Sequence, residues 1–486
     1  MLVFIFGLLL LGVLVALSVY YVFLLPPKYP ANIPAVPFWV ALIPFFKDVD
    51  QSHIFHRYIE RPLRTHGAVK LFFGAQWNIL VHKPSYLADI FREEDLYQKS
   101  GNQKKIPHSV LAEFLGDNII SSHGDVWRNY HAVVKPGLQR NFESDKIVRN
   151  AERLCELLRD EQIRAGKDGV AVQEVFQRYS VANCSEVLLQ TNLDTLSSAN
   201  ASINVLQSAV KREIFKPIFM NFPFLDKLPF PGRTRARQVV NMFKAELKRA
   251  VVESNDDNSL YPDSRSTDGL GRRMLDAQRS GLWNDKQFLD NITVTFVAGQ
   301  ENPQLCLIST VYLLAKQPDA QTKLFTEIRS SGLDRAKPDS EIVQNMPFLT
   351  SVIYESLRLF PPIGQLVNRK ASDNALLGGD IVIPKGTYLG YNCYSTNRDP
   401  EVWGSAADDF NPSRWGDTAV AIQKQYRLRR ARAEFISFHG GRRACLGEKF
   451  ALLQMRITLV TLTLAGPLYP RALRVVFTSR EKELSP

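Results

Sequence analysis

The sequence predicts a mainly α protein with small β-sheets, carried behind an N-terminal transmembrane anchor. Three observations carry that expectation: long stretches with apolar residues three and four apart, two short apolar runs around a glycine-containing turn, and an opening segment without a charge. With 486 residues the chain can bury a large core. Its 45% hydrophobic and 22% charged residues lie in the ordinary globular range, which excludes wholesale disorder, collagen and a polytopic membrane protein. Lys plus Arg number 60 against 49 Asp plus Glu, a net charge of +11 that suits an acidic partner surface, anionic lipid or nucleic acid. The five cysteines are scattered at 155, 184, 306, 393 and 445 with no C-x-x-C pair, which fits a reducing compartment and no zinc site.

The elements follow in chain order. Residues 1–25, MLVFIFGLLLLGVLVALSVYYVFLL, hold no charged side chain. As one helix they span about 38 Å at ~1.5 Å per residue, more than a ~30 Å hydrocarbon core, and they lack the basic start and small-residue cleavage site of a signal peptide. Tyr20 and Tyr21 fall where an interfacial aromatic belt lies, and Lys28 is the first basic residue, so the body is expected on the cytosolic side. Residues 26–46 carry five prolines between Pro26 and Pro37, which predicts a stiff extended linker with Phe38, Trp39 and Phe45 at the interface. Residues 47–486 show no composition break and no repeat, so one catalytic body is expected. Within it, AVKLFF and NILV flank Gly74-Ala75-Gln76-Trp77 as a hairpin. NAERLCELLRDEQIRAG, the stretch Lys286 to Lys316, and EKFALLQMRITLVTLTL have helical period. The last of these runs almost directly into AGPLYPRALRVVF, so the terminal sheet is expected to be a strand short, with an edge exposed.

The informative segment is Phe438 to Gly447, FHGGRRACLG, which fits F-x-x-G-x-R-x-C-x-G. It resembles the haem-binding loop of the cytochromes P-450, the haem-thiolate monooxygenases. The alternative, an inert cysteine in a chance pattern, would need every constrained position to agree by accident. The resemblance implies haem b with Cys445 as its thiolate ligand, whose electron donation favours O–O cleavage. A helix starting at Leu446 would stabilise that thiolate with its N-terminal dipole. The same resemblance puts Arg443 on a haem propionate and Phe438 over the sulfur. Gly441 and Gly447 would serve a tight turn and a close approach to the macrocycle.

Further segments fit the same family. In YESLRLFPP, Glu355 and Arg358 resemble its E-x-x-R motif, and Arg414 in DDFNPSRW supplies a third member of a fold-organising network, with Ser413 where a Glu is usual. Trp127 and His131 in GDVWRNYHAVVKPGL are similar to a propionate-holding pair, although His131 replaces the usual basic residue and can be neutral at pH 7. Arg369 is a further propionate candidate. The stretch NITVTFVAGQENPQL resembles the family's oxygen-binding helix: Ala298, Gly299 and Glu301 match, while Asn302 stands in place of a threonine. An amide cannot relay a proton as a hydroxyl does, so water held by Asn302, Glu301 and the Gly299 carbonyl is expected to supply protons. Pro303 lacks an N–H and crowds the Gly299 carbonyl, so a bend is expected there.

The runs GAVKLFFGAQWNILV, SGNQKKIP, VAGQENPQL and FHGGRRACLGEK are similar to the fungal spore-wall branch of the family, which couples N-formyltyrosine into bisformyl dityrosine. That resemblance implies an oxidoreductase in the endoplasmic reticulum membrane that uses O2 and electrons from NADPH through a cytochrome P-450 reductase. Hydroxylation of a lipophilic metabolite is the second expectation, and a haem protein that binds ligand without turnover, which Asn302 keeps open, is the third. Lys104 and Lys105, in a segment corresponding to the B–C loop, are candidates for pairing with the carboxylate of an acylated tyrosine. The aromatic, proline-rich segment 214–233 is expected to dip into lipid or roof the site, with core packing as the alternative. Arg427, Arg429, Arg430 and Arg432 would dock an acidic reductase. No nucleic-acid module accompanies them, so nucleic acid is not an expected partner. The sequons at Asn200 and Asn291 are expected to be unused.

Overall fold

The computed structural model describes residues 2–21, 25–47, 49–74, 76–256, 269–333, 337–471 and 474–477. Helices dominate, and the three periodic stretches become helices Ser144–Ala165, Asp285–Lys316 and Glu448–Ala465. Asn284 starts the central one with a capping box: its Oδ1 accepts from Gln287 N at 2.9 Å while Gln287 Oε1 accepts from Asn284 N at 2.9 Å. Pro303 lies inside this helix, which continues beyond it to Lys316. Ser180 Oγ, on helix Val172–Asn183, donates to Gln300 O at 2.6 Å and ties the central helix to its neighbour.

The strands are β1 Ala68–Phe73, β2 Gln76–Val81, β3 Tyr97–Lys99, β4 Gln365–Ala371, β5 Ala375–Leu377, β6 Ile381–Ile383, β7 Tyr388–Asn392, β8 Leu468–Arg471 and β9 Arg474–Phe477. The first four and β7 form one sheet in the order β1-β2-β7-β4-β3, while β5-β6 and β8-β9 are two-stranded. In the expected hairpin, Gln76 and Trp77 belong to β2, opposite Phe73 and Phe72, and the turn shortens accordingly. Antiparallel pairing of β3 with β4 sets Lys99 opposite Arg369. The register of β4 on β7 shifts between Val367 and Arg369, a bulge centred on Asn368.

One expectation about the N-terminus changes. The proline-rich segment is no free linker. Val36 and Val40 are buried in one cluster with Leu63, Val69 and Leu80, and Ile33 in another with Ala68, Ile79 and Val81, each apolar side chain stabilising by about 1.5–3 kcal/mol. Lys70 Nζ donates to Pro27 O at 2.8 Å, and Phe38 meets Phe72 edge-on at 4.8 Å between centroids. Proline stops continuous helix here, but packing holds the segment on β1. The first helix covers Leu2–Val19, ~27 Å at ~1.5 Å per residue, and residues 1 and 22–24 of the expected anchor lie outside the described residues. Among the described residues no helix is long and apolar enough to cross a membrane.

Candidate active site

A cavity of about 260 Å³ opens between helix Asp285–Lys316 and the loop 438–447. Helical periodicity decides which residues reach it: Val294, Thr295, Ala298, Gly299, Asn302, Pro303 and Cys306 recur on one face. Glu301 falls off that face. It pairs instead with Lys211 of helix Ser202–Ile214 at 3.1 Å, so the expected joint water site of Glu301, Asn302 and the Gly299 carbonyl is corrected. Asn302 lines the cavity with its Nδ2 turned back to Ala298 O at 3.4 Å. Gly299 is also required by packing, since a Cβ there would stand 2.8 Å from Cys184 Sγ.

The loop closes on itself through Cys445 N donating to Phe438 O at 2.9 Å. Gly441 has φ +65°, and a Cβ there would lie 2.3 Å from Phe91 O. At Gly440, which sequence reasoning passed over, a Cβ would lie 2.4 Å from the Phe91 ring. Gly447 plays a different part from the tight turn expected of it. Its φ of −86° is ordinary, and a Cβ would meet only Cys445 Sγ at 3.9 Å, so its bare backbone keeps cavity space beside the sulfur open.

Cys445 is exposed, whereas Cys184, Cys306 and Cys393 are buried. What it is exposed to is the cavity interior, so desolvation still pushes its thiol up to about 11, against the backbone N–H groups of Gly447 and Glu448, which pull it down. The following helix begins at Glu448 rather than Leu446, with Gly447 as N-cap, which leaves the sulfur just ahead of the positive end of the helix. Phe438 is buried and lines the cavity.

Cations gather along another edge. Arg443 is buried, bonded to Glu94 Oε1 at 2.9 Å and to the carbonyls of Ile119 and Ser122 at 3.0 and 2.9 Å, and lies 4.5 Å over the Trp127 ring. Burial lowers it to about 10. The rings of Trp127 and His131 meet tilted, 4.6 Å between centroids, and both line the cavity; burial lowers the imidazole below its ordinary value. Arg369 is buried behind the wall, donating from Nη1 to Tyr97 O at 2.9 Å while its Nε has no partner. Sequence reasoning missed Lys99 and Arg442. Lys99 lines the cavity while buried, and desolvation together with Arg369 and Arg443 drives its ammonium well below the lysine range. Arg442 binds Glu94 at 3.1 Å. No motif marks Lys99, because strand pairing across more than 260 residues of chain brings it to the site.

On the other side of the loop, Glu355 receives Arg358 through two bonds of 2.9 Å, Arg414 at 2.8 Å and Trp415 Nε1 at 3.1 Å. Arg358 also satisfies the carbonyls of Asn397 and Ala407. The substitution by Ser413 leaves Arg414 in place.

Other expected residues stand elsewhere. Neither Lys104 nor Lys105 lines the cavity. Lys104 is exposed beside His123, and Lys105 turns away to Asn78 Oδ1 at 2.8 Å under the rings of Phe73 and Tyr388; a loop position does not fix side-chain direction. No residue of 214–233 lines the cavity; Phe215 and Phe224 are exposed, so the segment is no roof. Of the basic run, Arg429 and Arg430 are taken up by Glu434 and Glu448, leaving Arg427 and Arg432 outward. Asn291 is buried and accepts from Ile119 N at 3.0 Å.

The residues present fit a haem. An apolar cavity carries one open sulfur at a helix N-terminus, a glycine that leaves room beside it, and an edge of buried cations with unmet donors suited to two propionates. Comparison with known proteins agrees. Residues 34–464 match the Cytochrome P450 family. The chain is 39% identical to cytochrome P450-DIT2 of Saccharomyces cerevisiae over 475 residues, 94% of this chain and 95% of that one. It is 37% identical to cytochrome P450 monooxygenase xanG of Aspergillus fumigatus over 437 residues, 88% and 80% of the two chains. Echinocystic acid 23-monooxygenase of Saponaria officinalis is 24% identical over 402 residues, 80% and 74%. The chain therefore belongs to the cytochrome P450 family, and it is a monooxygenase-type oxidoreductase with haem b on a cysteine thiolate.

Proposed function

We propose that this protein couples two N-formyltyrosines through their phenol rings, as a membrane-anchored enzyme fed by NADPH through a cytochrome P-450 reductase. In this reading residues 1–25 are the anchor, residues 26–46 a strap onto the body and residues 47–486 the catalytic domain, facing the cytosol at the endoplasmic reticulum. The observation that carries it is Asn302, on the cavity face where the family usually places a threonine. Joining two phenols removes one hydrogen atom from each and inserts no oxygen, so a site without that hydroxyl suits it. The runs shared with the spore-wall branch and the identity to cytochrome P450-DIT2 support the choice.

Bound haem b supplies the one-electron oxidation and the reduction of O2. Cys445 would hold the iron, while Phe438 covers the sulfur. Arg443, Trp127, His131 and Lys99 would hold the propionate edge, with Arg369 supporting it from behind. Val294, Ala298, Leu188 and Ile363 exclude bulk water from the phenols. Asn302 Oδ1 would orient water, and Glu301, on the solvent side with Lys211, would exchange protons with the exterior. Hydroxylation of a lipophilic metabolite is the second reading, favoured by that apolar wall.

Reconstitution with the reductase, NADPH and N-formyltyrosine, followed by mass spectrometry, tests the proposal. A dimer lacking two hydrogens is expected; a monomer with one added oxygen returns the enzyme to hydroxylation. The Asn302→Thr variant is expected to shift the balance between coupling and peroxide release, and unchanged values of both would remove Asn302 from the argument.

A further inference from the structure

Three side chains meet beside the cysteine loop without lining the cavity: Tyr426, Arg430 and Glu448. Helical period brings two of them together, since Gln423, Tyr426 and Arg430 stand three and four residues apart on helix Ala419–Ala431 and share one face. Glu448 is the first residue of helix Glu448–Ala465, three places after Cys445. Its carboxylate is held at both oxygens, Tyr426 Oη donating to Oε1 at 2.5 Å and Arg430 Nη1 reaching Oε2 at 2.7 Å. Arg430 Nη1 also donates to Tyr426 Oη at 3.2 Å. The phenol ring is fixed in turn. It is buried and stacks on Tyr354 with 4.5 Å between centroids and 14° between planes, while Tyr354 Oη accepts from Gln423 Nε2 at 3.2 Å. Burial and the Glu448 charge both push the Tyr426 phenol well above its ordinary range, so its proton stays available to the carboxylate.

Glu448 and Arg430 act on the Cys445 sulfur with opposite signs, the carboxylate opposing a thiolate and the guanidinium favouring it. A carboxylate at the start of this helix also competes with the sulfur for the same positive end of the dipole. Without its two partners Glu448 would set a bare negative charge next to the loop, and further negative charge on the sulfur and the iron it holds would be disfavoured. We propose that Tyr426 and Arg430 are positioning residues that hold the Glu448 carboxylate neutralised beside the Cys445 sulfur, and so set how readily the thiolate-bound iron accepts an electron. The inference uses only the iron ligand and holds whichever substrate the cavity takes.

Redox titration of the haem-loaded protein, followed by its absorption spectrum, tests this in wild type, Glu448→Gln, Arg430→Met and Tyr426→Phe. Glu448→Gln removes the negative charge and should favour reduction about tenfold, ~59 mV for one electron. Arg430→Met leaves the carboxylate uncompensated and should disfavour reduction by about the same factor. Both changes break one ion pair, so a merely structural contribution moves them in the same direction, and shifts of equal sign overturn the proposal. Tyr426→Phe keeps the ring on Tyr354 and removes only the hydrogen bond. It should disfavour reduction about threefold, and that shift should vanish when Glu448→Gln is also present. A Tyr426→Phe shift that persists in the double variant overturns the proposal, as do potentials unchanged in all three single variants. If Glu448→Gln loses the carbon monoxide spectrum of a thiolate haem, Glu448→Asp replaces it. That variant keeps the charge but shortens the reach to Tyr426 and Arg430, and must move reduction in the same direction as Arg430→Met if the proposal holds.

Discussion

Two buried charge clusters flank the cysteine loop, and they differ in one respect. Around Glu355, one carboxylate is surrounded by Arg358, Arg414 and Trp415, and the remaining guanidinium donors end on backbone carbonyls. Around Lys99, Arg369, Arg442 and Arg443 the one buried carboxylate in bonding range among the described residues is Glu94, the exposed Asp95 meeting only Arg442 at 3.6 Å, and Lys99 and Arg369 keep unmet capacity toward or behind the cavity. A cluster closed on itself organises the fold. A cluster left positive and desolvated is completed by an anionic ligand, here the haem carboxylates.

The comparison breaks most visibly at Glu355. Glu355→Ala leaves two arginines facing each other without their anion and should cost about 3–5 kcal/mol whether or not haem is present; thermal unfolding of apo and loaded protein should show equal losses. Lys99→Met should behave with opposite signs in the two forms. It removes a buried, desolvated amine from the apo protein, raising stability by about 1–3 kcal/mol, and it speeds haem loss from the loaded one. Equal shifts in both forms would place Lys99 with the closed cluster. His131→Arg is the reverse change, adding a cation to the open cluster: slower haem dissociation and a less stable apo protein are expected, by stopped-flow transfer to apomyoglobin and by melting.

A pH series sharpens the contrast. Burial holds Lys105 at about 7 against an ordinary 10.5, so the unfolded chain binds a proton that the folded chain releases between those values. Stability should rise with pH across that window and fall toward neutrality, and Lys105→Met should flatten the slope in urea unfolding. The smallest effect belongs to Lys104→Ala. Its side chain is exposed and outside the cavity, so ligand affinity and melting should both stay within error.

The parts of the site legible in the sequence are those written in one contiguous stretch. The loop from Phe438 to Gly447, the helix around Asn302 and the Glu355–Arg358 spacing each fix their own local geometry, because turn and helix periods act over a few residues. Helical period also contained the error over Glu301: its position one residue before Asn302 already turns it about 100° away. The roles of Lys99 and Lys105 could not be read in that way. Lys99 reaches the cavity only because β3 pairs with β4, and Lys105 leaves it because Asn78 and two rings offer its ammonium a better enclosure.

The sequence by itself thus determined the helical body, the sulfur ligand candidate and the carboxylate–arginine pair, since short-range hydrogen bonding and side-chain period need no distant partner. Tertiary structure alone decided which cations remain unpaired and where the proline-rich segment rests. Those outcomes depend on burial and on strand register between segments far apart in the chain, where a shift of one residue reverses the direction of a side chain.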